Sequence, residues 1–150
     1  MDCKRALQEA QGDIDRACEI LRQQGLAKAD KKAGREASQG LVEVYVHGGG
    51  RIGSMVEVNC ETDFVARTDE FKALAHDLAL QIAATDPRFI SPSEIPDGDK
   101  DKLNPEEVCL LSQPFIRDPA RKISDIVADV SAKMGEKVAI RRFARFELGK

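Results

Sequence analysis

Residues 41–82 read LVEVYVHGGGRIGSMVEVNCETDFVARTDEFKALAHDLALQI, and this stretch decides the fold. Its hydrophobic pattern changes from strand-like to helix-like part-way along. Leu41 to Val46 is β-branched and apolar, as a strand favours. Gly48-Gly49-Gly50 supplies the positive φ that a tight reversal requires. Arg51 to Asn59 reads as a second strand, with Val56, Val58 and the following Cys60 on one face. Thr68 then stands where a helix N-cap belongs, and Phe71, Leu74, Leu78 and Ile82 recur at steps of three and four. The stretch predicts a β-hairpin followed by an amphipathic helix.

Downstream, Pro87 closes that helix, and residues 91–105 hold Pro92, Pro96, Pro105 and Asp97-Gly98-Asp99, the composition of a surface loop. Val108 to Leu111 and Pro114-Phe115 lead into a further helix with Ile123, Ile126, Val127, Val130 and Met134 on one face, ended by Gly135. Val138 to Phe146 reads as a third strand, with Arg141, Arg142 and Arg145 interleaved among Ile140, Phe143 and Phe146. Upstream, residues 2–24 predict two short helices. Asp2 is placed to cap the first and Gly12 to break it; Asp13 caps the second, with Ile14, Ala17, Cys18 and Leu21 apolar, and Gly25 stops it. Two such helices enclose no core alone and need a third helix or another surface. Residues 26–38 are Ala-rich, with Lys28, Lys31, Lys32 and Arg35 at helical steps, as in a connecting helix with one basic face. That face is either solvated or a docking surface for phosphate or an acidic partner. The expected class is α+β: an antiparallel sheet of about three strands with helices on one face. The expected divisions are a partial helical domain over 1–25, a connecting basic helix over 26–39 and a core domain over 40–150.

The chain has 150 residues, 42% hydrophobic and 33% charged, the composition of a globular domain with a real core. No run approaches the about 20 apolar residues of a membrane span. No apolar signal region follows Met1-Asp2-Cys3-Lys4-Arg5, so the expected compartment is the one of synthesis, a bacterial cytoplasm or an organelle. A net charge of −3 lacks the basic excess of a nucleic-acid binder. Cys3, Cys18, Cys60 and Cys109 include no C-x-x-C pair, which argues against a zinc ribbon or redox motif. Cys3 and Cys18, at helical spacing among apolar residues, are expected as reduced core residues.

Catalytic chemistry has little to stand on. His47 falls at a hairpin turn, His76 on a helix, and no base or orienting group announces itself beside Cys60. The triple glycine leads into no helix and carries no phosphate-loop spacing. No catalytic residue, metal site or cofactor is expected. The segment that resists a bland account is Asn59-Cys60-Glu61-Thr62-Asp63-Phe64-Val65-Ala66-Arg67-Thr68, which joins a strand to a capped helix. Thr62 and Asp63 are good helix starters. Phe64 either fills the core or projects from the turn as an apolar wedge for a partner.

The run NCETDFVAR, residues 59–67, resembles the signature segment of the elongation factor Ts family. Met1-Asp2-Cys3-Lys4-Arg5-Ala6-Leu7 is similar to that family's N-terminal helical region, Val46-His47 and Arg51-Ile52-Gly53 to its first core hairpin. Ser112-Gln113-Pro114-Phe115 and Arg142-Phe143-Ala144-Arg145-Phe146-Glu147-Leu148-Gly149 are similar to its C-terminal half, so the resemblance covers nearly the whole chain.

The resemblance implies a translation factor that promotes GDP release from elongation factor Tu without chemistry of its own. Thr62, Asp63, Phe64 and Val65 would form the partner-binding segment. The aromatic ring would wedge between helices of the GTPase and disturb its Mg²⁺ and phosphate site. The family's N-terminal domain is a three-helix, ubiquitin-associated-like module, so a short form is expected whose first helix would precede Met1. Longer members carry a helical excursion or a second core subdomain where this chain has a short connection from Ile95 to Val108. A single small core then implies a homodimer and a two-plus-two complex, with the C-terminal strand as the self-association edge. The competing reading is a non-catalytic adaptor with a ubiquitin-associated-like module. Nucleic-acid binding through Lys28, Lys31, Lys32 and Arg35 ranks third.

Overall fold

In the computed structural model, residues 2–150 are described, the side chains of 26, 29 and 30 apart. The fold is α+β, and its centre is a three-stranded antiparallel sheet in which β2 (Ile52–Cys60) lies between β1 (Gln39–His47) and β5 (Ala139–Glu147). Strands β1 (Gln39–His47) and β2 (Ile52–Cys60) form the expected hairpin, in register from Gln39 opposite Cys60 to His47 opposite Ile52. Gly48, Gly49 and Gly50 all take positive φ at its tip.

Helix α4 (Asp69–Thr85) lies across one face of this sheet. Thr68 caps it, its hydroxyl oxygen accepting from the Phe71 N–H at 3.2 Å. Phe71, Leu74, Leu78 and Ile82 are buried against Val56, Val58 and Cys60 of β2. Ser54 joins the layers by donating to the Ala79 carbonyl at 2.6 Å. Beyond the single turn α5 (Pro105–Val108), helix α6 (Ile123–Met134) completes the cover, and Gly135 ends it in the left-handed conformation.

Strand β5 (Ala139–Glu147) pairs with β2 through one irregularity, a register shift between Glu57 and Val58. Ile140 and Phe143, three residues apart, would face opposite sides of a regular strand. The extra residue, Arg141, lets both pack on the core. Arg145 also turns inward and donates to the Ala83 carbonyl at 3.0 Å, in the last turn of α4, where a cation is favoured.

Four expectations need correction. Gly25 does not stop the second helix: α1 spans Asp2–Glu9, and α2 runs unbroken over Ile14–Lys32. One helical glycine costs only about 1 kcal/mol, and its neighbours are good helix formers. Asp2 is itself helical and pairs with Arg5 and Lys28 instead of capping; Asp13 does cap, accepting from the Arg16 N–H at 3.0 Å. Cys3 and Cys18 are exposed, because the buried contact between α1 and α2 is a close alanine seam of Ala6, Ala10 and Ala17. Finally, Phe115 and Arg121 lie in an unforeseen two-stranded ribbon, β3 (Pro114–Phe115) with β4 (Asp118–Lys122).

The second surface that the helical pair needs is α6. Lys32 Nζ donates to the Ser131 carbonyl at 3.0 Å, and Arg22 approaches Asp125. The basic face is therefore largely spent within the chain: Lys28 on Asp2, Lys32 on α6 and Arg35 on Glu61. No helix among the described residues is long and apolar enough to cross a membrane.

Candidate functional site

The segment after β2 folds as a separate single turn, α3 (Asp63–Ala66), set between strand and long helix. Thr62 is its N-cap, in extended conformation, with the hydroxyl oxygen accepting from the Val65 N–H at 3.4 Å. Asp63 is the first helical residue, and its carboxylate meets Arg67 one turn on at 2.8 Å. Val65 and Ala66 point into the core. Thr68, the cap of α4, also donates to the Val65 carbonyl at 2.8 Å, so one threonine ties the end of α3 to the start of α4.

These attachments leave one side chain outside. Phe64 is 77% exposed, between a half-buried Asp63 and a buried Val65. Of the two readings of Phe64, core filler and projecting ring, the projecting ring is the one observed. The four expected residues thus differ in what they do within the turn. Thr62 caps it, Val65 anchors it, Asp63 faces Arg67 and Phe64 is displayed.

Sequence reasoning missed what fixes this turn from across the molecule. Glu136 lies just past the end of α6. Its carboxylate accepts from the N–H of Glu61 at 3.1 Å, from the N–H of Thr62 at 3.0 Å and from the Thr62 hydroxyl at 2.6 Å. Glu61 answers by accepting from the Lys137 N–H at 2.6 Å and from Arg35 at 3.4 Å. That Lys137 N–H first, then Arg35, holds the Glu61 carboxyl below its ordinary range. Lys137 Nζ donates to the carbonyls of Ala33 and Arg35 at 2.6 and 3.0 Å, which brings the α2–β1 connector to the same corner. Nothing local to residues 59–68 signals Glu136, which follows Thr62 by 74 positions.

Cys60 is buried and donates to the Thr62 carbonyl at 3.1 Å. Burial first, and the nearby Glu136 charge next, push its thiol up, away from a nucleophilic thiolate. His47 and His76 sit elsewhere, around Tyr45, with His76 Nδ1 3.2 Å from Glu43. Among the described residues no group of three or more His, Cys, Asp or Glu side chains is placed to hold a metal ion.

A family model described as elongation factor TS matches residues 25–104, a span that includes this turn. Three curated relatives named elongation factor Ts are similar over 99% of the chain. They come from Carboxydothermus hydrogenoformans (50% identical, 82% of that protein covered), Caldanaerobacter subterraneus (48%, 88%) and Moorella thermoacetica (46%, 87%). Each match runs over 177 residues against the 150 of this chain, so the relatives carry additional residues within the shared stretch.

Proposed function

The chain belongs to the elongation factor Ts family of translation elongation factors, and from that premise we propose that it releases GDP from elongation factor Tu by docking alone, with Phe64 as the wedge. The observation that carries this reading is the pairing of an exposed aromatic with a turn held on both sides. An unsupported surface phenylalanine would fold down onto apolar surface. Here Val65 is anchored in the core and Thr62 is clamped, so the ring stays outside. Pressed between helices of the GTPase, it would shift the groups that coordinate Mg²⁺ and loosen the diphosphate that the metal bridges. The factor then binds nucleotide-free Tu better than Tu·GDP, and linkage requires the reverse as well: added nucleotide expels the factor. No covalent step is needed, and the protein is not an enzyme in this reading. Release of labelled GDP from elongation factor Tu should accelerate when the chain is added. An unchanged off-rate at micromolar chain would sink the proposal.

The working form in this reading is a homodimer in the cytoplasm. Its support is the sheet face turned away from α4. Across the three strands this face carries the rows Val42–Glu57–Arg142, Val44–Met55–Ala144 and Val46–Gly53–Phe146. Val42, Val44, Val46, Met55 and Phe146 are all exposed on it, and Arg142 pairs with Glu57 at 2.7 Å at one end. A second copy related by a two-fold axis would bury the apolar rows against each other and keep the charged rows at the rim. Strand β5 does lie at a sheet edge, but its outward Phe146 recommends the face over the edge as the contact. The double substitution Val44→Glu, Phe146→Glu should convert a dimer to a folded monomer, read by light scattering beside circular dichroism. A parent that scatters as a clean monomer at working concentration would count against the dimer.

A further inference from the structure

Phe64 makes a demanding wedge. Its ring is mostly in solvent, so nothing packed around it fixes its position. The placement comes from the backbone of α3, and α3 is four residues long. A single helical turn has no stability of its own, since nucleation fixes several dihedrals for one hydrogen bond. A wedge that yields when it meets resistance transmits no displacement. The turn must therefore be stiffened by something that does not move with it.

We infer that Glu136 is the positioning residue for the Phe64 wedge: it holds the Glu61–Thr62 peptide rigidly to the end of α6 and so fixes the direction in which α3 presents the ring. This inference rests on the wedge reading of Phe64.

The path can be followed atom by atom. Gly135 takes φ 72°, turning the chain out of α6 and delivering Glu136 to the turn. Glu136 is itself pinned, because the Ser131 hydroxyl, buried in the last turns of α6, donates to its carbonyl at 2.6 Å. One carboxylate oxygen accepts from the two successive N–H groups of Glu61 and Thr62, and the other accepts from the Thr62 hydroxyl. That hydroxyl oxygen still accepts from the Val65 N–H, so the same threonine is clamped on one side and caps α3 on the other. Three donors converge on one ionised acceptor, the hydroxyl at 2.6 Å the shortest of them, and bonds to a charged acceptor are stronger than neutral ones. The Glu61 carboxylate closes the arrangement on the Lys137 N–H, so each glutamate bonds the backbone beside the other.

A plain helix start would not need this apparatus. Thr68 caps the longer α4 with its hydroxyl and backbone alone, with no carboxylate brought from elsewhere. At α3, beside the exposed Phe64, the long-range carboxylate is added to the threonine cap.

The test uses the full chain in five versions: parent, Glu136→Ala, Glu136→Gln, Phe64→Ala, and Glu136→Ala combined with Phe64→Ala. Two quantities are read: hydrogen exchange at the Glu61 and Thr62 amides, and the rate of GDP release from elongation factor Tu at saturating chain. Glu136→Ala should speed amide exchange at both positions and slow GDP release by about tenfold or more, the scale expected when a positioned group is loosened by a fraction of an ångström. Glu136→Gln keeps one carbonyl oxygen for the two N–H groups and offers an amide N–H to the Thr62 oxygen, so it should recover most of both losses. In the Phe64→Ala background, Glu136→Ala should cost less than about a further twofold, because the ring it positions is already gone.

A Glu136→Ala protein that exchanges nucleotide like the parent, while Phe64→Ala is slow, overturns the positioning role and leaves the wedge standing. A full independent loss in the Phe64→Ala background overturns it too, since Glu136 would then act on something else. A Phe64→Ala protein that matches the parent removes the wedge reading and this inference with it. If Glu136→Ala does not fold, Glu136→Asp decides: its carboxylate falls one methylene short of the turn, so amide protection at Glu61 and Thr62 must drop measurably and GDP release must slow, and parent-like values of both overturn the inference.

Discussion

Phe64→Ala is expected to abolish most of the stimulated GDP release while leaving the fold nearly as stable as the parent. The two halves of this result come from different physics. Truncating a buried phenylalanine costs about 3–5 kcal/mol, because transfer energy is lost and a cavity remains. Phe64 is 77% exposed, so it has little burial to lose, and surface changes of this kind stay within about 0.5 kcal/mol. Against the partner the balance reverses. An aromatic anchor that enters a pocket contributes about 2 kcal/mol or more, and each 1.4 kcal/mol is about tenfold, so the release rate should fall at least about thirtyfold. A denaturant curve and a GDP-release rate on one sample decide the matter. A strongly destabilised Phe64→Ala protein that still exchanges nucleotide at the parent rate, once folded at low temperature, would place the ring in the core and end the wedge mechanism.

Phe71, seven positions on, shows why the same residue type has opposite meanings. It lies in the first turn of α4, fully buried, on the periodic face with Leu74, Leu78 and Ile82. That face is legible from spacing alone because Thr68 fixes where the period starts. Phe64 is legible as ambiguous and no further: it belongs to no periodic face, and one turn of helix is too short to show a period. Its exposure is decided by Val65, which takes the core position, and by Glu136, which arrives from 74 residues away. Long-range clamps of this kind leave no local trace in sequence.

The other gaps have equally physical reasons. The ribbon β3–β4 carries Pro114, Pro119 and four charged residues, so it shows no alternation to detect. It is held by its surroundings instead. Gln81 of α4 is fully buried; it donates to the Pro114 carbonyl at 3.2 Å and accepts from the Ile116 N–H at 3.0 Å. Strand β5 is legible as a strand, but the pattern Ile140, Phe143, Arg145 fits two faces of a regular strand. Only pairing with β2 reveals the bulge that reconciles them. Gly25 misleads because a glycine stops a helix only when the residues beyond it are poor helix formers. The alanines and lysines after it are good ones.

The largest loss of stability is expected at Gly40→Ala, a change of one methyl group in the first strand. Gly40 sits in β1 directly opposite Asn59 of β2, with φ 145°. Two costs add there. A side chain at such a φ is strained by about 1–3 kcal/mol wherever it occurs. A Cβ built at Gly40 would also overlap the Val58 carbonyl oxygen and lie 2.8 Å from the Asn59 Cα, both parts of the neighbouring backbone. Backbone in a paired strand cannot swing aside as a flexible side chain does, so the strands must part, at about a further 1–3 kcal/mol. The total, about 2–6 kcal/mol, is a large share of the about 5–15 kcal/mol that holds a typical domain. The damage falls at the end of β2 that leads through Cys60 into the clamped turn, so GDP release should fail together with the fold. Gly53→Ala is the matched control. It lies in β2 of the same sheet, in the row with Val46 and Phe146, with no strained φ and nothing within 4 Å of its Cβ. That variant should unfold within about 0.5 kcal/mol of the parent. Equal denaturation midpoints for Gly40→Ala and Gly53→Ala would show that β1 and β2 do not approach as closely at Gly40 as this register requires.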